Sequence, residues 1–189
     1  MLSLIKKNRS YRRFYEDVLL DKETLEGLVN LARLSPSGGN LQPLKYIISW
    51  EEEINSKIFS CLLWAAYLKD WLGPEKGERP TGYIIVLGDT EISKSFGVDP
   101  GIACQSILLG AVEKGLGGCI LGNIKRDALR KELGIPKKYE ILYVLALGKP
   151  KEEVVLEHLE PGGDVKYWRD ENKVHHVPKR ALQDIIIKL

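Results

Sequence analysis

The sequence predicts a sheet covered by helices, of α/β or α+β class, in a single domain. Three observations carry this. The chain has 189 residues, enough to bury a real core and about the length of one domain. Hydrophobic residues make up 44% and charged residues 29%, the balance of an ordinary globular protein. Short β-rich apolar runs alternate with stretches of helical period, in the order helix, helix, strand, helix, strand, helix, strand, helix, strand, tail.

Each element has its own signal. DKETLEGLVNLARLSP reads as a helix with Asp21 as N-cap. Leu25, Leu28, Val29, Ala32 and Leu34 fall on one face, and Pro36 ends the pattern. LKYIIS (44–49) is short and β-rich, a strand. INSKIFSCLLWAAYLKDWLG (54–73) is apolar over a wide helical face and predicts a helix stopping at Gly73-Pro74. The polar loop PEKGERPT (74–81) feeds GYIIVLGD (82–89), a continuous apolar run that predicts a buried strand. A buried helix follows around 99–115, and then GGCIL (117–121) as a strand. IKRDALRKEL is a short amphipathic helix stopped by Gly134, and EILYVLALG (140–148) is another buried strand. Residues 151–180 are polar and irregular, with a turn at Gly162-Gly163. The apolar tip ALQDIIIKL closes the chain, so this arm is expected to pack on its own domain or on a partner subunit.

Several function classes are disfavoured. The formal net charge of +2 is too near neutral to argue for nucleic acid. MLSLIKKNRS has no apolar segment long enough for a signal peptide. The longest apolar run, IACQSILLGAV, falls short of the roughly 20 residues of a membrane span. Cys61, Cys104 and Cys119 are widely spaced in apolar runs, which predicts buried reduced thiols in a cytoplasmic protein. His175 and His176 are adjacent, so in a strand they point to opposite faces, and no metal site is expected. GLGGCIL resembles a dinucleotide fingerprint, but Ile120 stands where the third glycine belongs, and the helix-to-strand order is reversed.

Two stretches carry chemistry. In KKNRSYRR (6–13) five of eight positions are Lys or Arg. This is either a solvated basic face or an anion clamp, with Arg9 and Arg12 on one side and Ser10 between them. SPSGGNLQP (35–43) is either a helix stop and loop or a site where backbone approaches a ligand closely. The amides of Asn40 and Gln42 donate and accept at once, which suits the edge of a planar heterocycle.

In order, NRSYRRF, then PSGGNLQP before a strand, then DPGIACQSILLGAVEKGLGGCIL, resemble the nitroreductase family of FMN-dependent oxidoreductases over most of residues 4–150. Pro36, Ser37, Asn40, Gln42 and Pro43 match the second motif, and Arg9, Ser10, Arg12 and Phe14 match the first. Asn8 stands where many members have arginine. The resemblance implies an α+β sandwich with a mainly antiparallel central sheet flanked by helices. It also implies a homodimer that exchanges its C-terminal arm (151–189 of the single domain 1–189) and has FMN at the subunit interface. By the same resemblance Arg9 and Ser10 bind phosphate or ribityl, and Arg12 lies near flavin N1/O2. Pro36, Ser37, Gly38, Asn40 and Gln42 reach the flavin of the other subunit. Leu121, Gly122 and Asn123 occupy the N5 segment, where many members have Glu-Gly, and Lys179 and Arg180 return to the phosphate. Trp64, Tyr67, Trp71 and Trp168 either line the acceptor pocket or pack in core or interface. The implied activity is hydride transfer from NADH or NADPH to FMN, then reduction of a small nitroaromatic, quinone or similar acceptor in a ping-pong cycle. The alternative, kept open by Asn8 and Gly122-Asn123, is a flavin-binding module without turnover.

Overall fold

The protein is seen in a computed structural model that describes residues 1–68 and 70–188. Its centre is a five-stranded, wholly antiparallel sheet. Strand β5 (Tyr139–Pro150) is the hub. On one side it pairs with β3 (Gly82–Asp89), which in turn pairs with β2 (Leu44–Ser49). On the other side β4 (Gly117–Leu121) and then β1 (Phe14–Tyr15) share its length.

Side-chain parity builds two cores from this one sheet. Tyr83, Ile85, Leu87, Val144 and Ala146 face helices α3 (Glu52–Ser60) and α5 (Arg126–Leu133). Ile84, Val86, Leu145 and Leu147 face α2 (Lys22–Leu34) and α4 (Asp99–Glu113). Every residue of β3 is therefore buried, which is why GYIIVLGD is apolar throughout rather than alternating. The mainly antiparallel α+β sandwich is the observed fold. Among the described residues no helix is long and apolar enough to cross a membrane.

The local signals hold where the physics is local. Asp21 Oδ1 accepts from Thr24 N–H at 2.8 Å and caps α2. Gly134 ends α5 in the left-handed conformation at φ 62°. A short N-terminal helix, α1 (Leu2–Lys7), precedes them. Leu34, placed by periodicity on the buried face of α2, is instead 65% exposed, at the last residue of the helix. Cys61, Cys104 and Cys119 are buried and free.

Two expectations fail. The helix predicted over 54–73 ends at Ser60. Lys125 N–H donates to Cys61 O at 2.9 Å and Leu63 N–H to Asn123 O at 3.1 Å, so this backbone is tied to the segment after β4. Cys61, Leu62, Trp64 and Ala65 are buried without a helix, and periodicity cannot tell such burial from a helix face. Gly73 closes the segment at φ 129°, where an added Cβ would lie 2.6 Å from Trp64 Cδ1. Lys69, within the predicted helix, lies outside the described residues, as does Leu189 of the apolar tip.

Residues 151–180 are not irregular throughout. They form a second sheet in which β6 (Val154–His158) runs parallel to β8 (His175–Lys179), and β7 (Trp168–Arg169) pairs antiparallel with β8. The parallel pairing of β6 with β8 joins distant residues, Val154 with His175, so no local pattern announces it.

Candidate functional site

From Asn8 onward the basic N-terminal motif is extended chain, not helix. Helix α1 stops at Lys7, and its exposed carbonyl end is met by Arg9 Nη2, which donates to Ile5 O at 2.8 Å. Ser10 forms a bridge to Gly118 of β4. Leaving the helix separates the three arginines of the motif. Arg13 turns inward to form a two-point pair with Glu78 at 2.5 and 2.6 Å. Arg9 and Arg12 turn to a cavity of about 260 Å³.

The C-terminal sheet supplies the opposite wall. Along β8 alternate residues share a face, so His175, Val177 and Lys179 all line this cavity. Lys179 thus joins Arg9, Ser10 and Arg12, as the resemblance implied by position. Arg180, next along the chain, is not among the lining residues. Tyr167 completes the wall, with the Arg12 guanidinium 5.0 Å from its ring centroid. Glu152, fully buried, pins the two halves together. One oxygen accepts from Arg12 N–H, and the other pairs with Arg169 Nη2 at 2.9 Å.

The electrostatics of the cavity are one-sided. Its lining residues are Asn8, Arg9, Ser10, Arg12, Tyr167, His175, Val177 and Lys179, with no carboxylate among them. Arg9 Nε, Arg12 Nε and His175 Nδ1 are buried and have no hydrogen-bond partner among the described residues. Burial pushes the His175 imidazole down to about 4, with the positive charges of Arg12 and Arg169 adding to the effect. Two orphaned arginine donors and an orphaned ring nitrogen, on residues that line one cation-rich cavity, fit a phosphate group, which accepts several hydrogen bonds at once.

The glycine-rich loop lies elsewhere on this chain. It is held by Asp99, buried at the start of α4, which accepts from Ser37 Oγ at 2.6 Å and from Gly38 N–H at 2.9 Å. Ser37 Oγ also accepts from Gln42 N–H at 2.9 Å, so this hydroxyl is already engaged within the loop. Gly39, Asn40 and Gln42 adopt φ of 55°, 54° and 52°. Two non-glycine residues in the left-handed region within one turn is uncommon, and both side chains are left at the surface. Pro36, Ser37 and Gln42 line a separate cavity of about 210 Å³ with Tyr46 and Asp99. One chain therefore does not bring the two motifs into one cavity.

At the end of β4, Leu121 is buried while Gly122 and Asn123 are exposed. Arg126 Nη2 donates to Gly122 O at 3.1 Å, and Asn123 O receives Leu63 N–H. Trp64 is a core residue, edge-on to Trp71 at 6.4 Å. Tyr67 packs on Tyr167, and Trp168 stacks on His176 on the outer face of the small sheet. Asp99, Glu152, Tyr167 and His175 are site residues that the sequence reading missed. Only His175 had a usable signal, the period of two that places it on the Lys179 face.

The comparisons agree with this geometry. The sequence profile of the Nitroreductase family matches residues 5–70 and 69–149. A protein of Archaeoglobus fulgidus, whose name proposes an NADH dehydrogenase or NAD(P)H nitroreductase activity, is 31% identical over 160 residues, covering 80% of this chain and 86% of its own. A similarly named protein of Methanothermobacter thermautotrophicus is 30% identical over 159 residues, with 80% and 78% covered. Among solved structures, an FMN-dependent nitroreductase of Clostridium difficile R20291 is 27% identical, with a TM-score of 0.66 over 81% of this chain and 89% of that one. The fold of a Streptococcus pneumoniae TIGR4 nitroreductase family protein, 18% identical, covers 100% of this chain and 99% of that one at a TM-score of 0.70. With the profile spanning both motifs, the sheet and the α4–β4 segment, this chain belongs to the nitroreductase family.

Proposed function

We propose that the protein is an FMN-dependent NAD(P)H oxidoreductase acting on a small, electron-poor acceptor such as a nitroaromatic or a quinone. The observation that carries the reading is the carboxylate-free cavity of Arg9, Ser10, Arg12 and Lys179 with its orphaned donors, a fit for the FMN phosphate. When bound, FMN supplies the redox chemistry: a hydride is taken from NADH or NADPH and the electrons pass to the acceptor in the same site, a ping-pong cycle.

The residues of the chain bind and orient. Arg9, Ser10 and Lys179 hold phosphate and ribityl. Arg12, fixed by Tyr167 and by its bond to Ser10 O at 3.2 Å, places a cation at the N1/O2 edge, where negative charge collects on reduction. The strained loop presents the amides of Asn40 and Gln42 to the flavin of a second subunit, which accounts for two half-sites that do not meet within one chain. The segment Leu121–Asn123 offers backbone to the N5 edge. A homodimer is supported further by the exposed tip, where Leu182, Ile185, Ile186 and Ile187 are 56–86% exposed. The arm up to Lys179 lies against Arg9 and Arg12, and the exposed tip beyond it is the part proposed to reach the partner subunit. The buried free thiols suit a reducing compartment such as the cytoplasm.

The visible spectrum of the purified protein, recorded without oxygen before and after NADH or NADPH, tests this. A flavin band that bleaches is expected. No band after incubation with excess FMN refutes the reading.

A further inference from the structure

His175 is the most deeply placed group of the phosphate cavity, 1% exposed, and nothing in the motifs assigns it a role. Its Nε2 faces Arg12 Nη1 at 3.4 Å. Arg12 has only N–H donors, so the lone pair of Nε2 belongs on that side and the ring proton on Nδ1. That tautomer requires a neutral imidazole, and burial together with Arg12 and Arg169 keeps it neutral near pH 7. Nδ1 then carries an N–H that finds no acceptor among the described residues. A buried donor without a partner is costly to keep, and this residue lines a cavity whose charged side chains are all cations. The acceptor it lacks is what a phosphate oxygen brings.

We propose that His175 is a ligand of the phosphate monoester bound in this cavity, donating through Nδ1–H beside Arg9, Arg12 and Lys179. The inference rests on the FMN reading for the identity of the ligand, and on the cavity alone for the phosphate chemistry. It makes the small C-terminal sheet part of the cofactor site, because pairing of β6, β7 and β8 sets the depth of His175.

The test uses the full-length protein freed of flavin and titrated with FMN and with riboflavin, which lacks the phosphate. For His175→Ala the expected result is a loss of about tenfold or more in FMN affinity with riboflavin affinity unchanged. His175→Asn, whose amide nitrogen lies near the place of Nδ1, restores part of the loss, and His175→Gln does not. Unchanged FMN affinity in the Ala variant overturns the proposal, as does an equal fall for FMN and riboflavin, the sign of a structural role. Should these variants misfold, the wild-type protein with ¹⁵N-labelled histidine decides. The His175 Nδ1 resonance shifts with FMN and with inorganic phosphate but not with riboflavin, and no shift with either phosphate overturns the proposal. A protein that binds phosphate with this shift but not FMN would sink the flavin reading and leave the role of His175 standing.

Discussion

The support of the glycine-rich loop by Asp99 makes a demanding prediction. Asp99→Ala removes an acceptor that binds Ser37 Oγ at 2.6 Å and Gly38 N–H at 2.9 Å. A hydrogen bond to a charged group is worth about 1.5–3 kcal/mol, and water recovers part of it at this half-buried site. The loop also stores strain of about 1 kcal/mol at each of Asn40 and Gln42, held in the left-handed region at φ 54° and 52°. Without its tie the loop relaxes, for a net loss of about 2–3 kcal/mol of local order. If Asn40 and Gln42 complete the flavin site of the partner subunit, FMN binds only the fraction of loops still in place. Affinity then falls tenfold or more, about 1.4 kcal/mol. Flavin fluorescence titration of the flavin-free protein measures this, beside thermal unfolding. Asp99→Asn should fall between, since its carbonyl still accepts from Gly38. A variant that loses stability yet binds FMN within twofold of wild type would refute the link from Asp99 through the loop to the cofactor.

Three further outcomes follow from the same geometry. Glu78 is held down to about 2 by its bonds to Arg13 and then by Lys151, against an ordinary 4.5, so between those values the unfolded chain binds more protons. Its stabilisation, on the order of 2–3 kcal/mol, is full above pH 4.5 and lost as the pH falls through 2, and Glu78→Gln should flatten that limb of an acid unfolding curve. His175, depressed from 6.5 to about 4, acts in the same direction. Stability falls as the pH drops from 6.5 through 4, and bound FMN should blunt the fall. Gly118→Ala would set a Cβ 2.6 Å from Ala146 O, a backbone atom that cannot swing aside. A loss of about 2–3 kcal/mol in denaturant unfolding is expected, with weakened FMN binding because Ser10 is bridged to this residue.

Much of this molecule was determined by sequence acting locally. The cap at Asp21, the stop at Gly134, the apolar runs of β3 and β5 and the two motifs are each set by residues within a few positions of one another, so each is legible from the chain alone. The mainly antiparallel sheet agrees with the family resemblance, which supplied what periodicity could not, and the structure brings Arg9, Ser10, Arg12 and Lys179 to one cavity. Tertiary structure decided the rest. The stretch after Ser60 carries enough apolar surface for a helix, yet the backbone of Cys61 and Leu63 is claimed by Lys125 and Asn123. Leu34 has the period of a core residue and lies where there is no core. Whether Ser37 faces a ligand or its own loop depends on Asp99, 62 residues away. His175 reads from the sequence only as one of two adjacent histidines on opposite faces, and a parallel strand pairing sinks it beside Arg12. Hydrogen bonds and burial between distant segments carry no local periodic signature, so these choices are made only when the chain closes on itself.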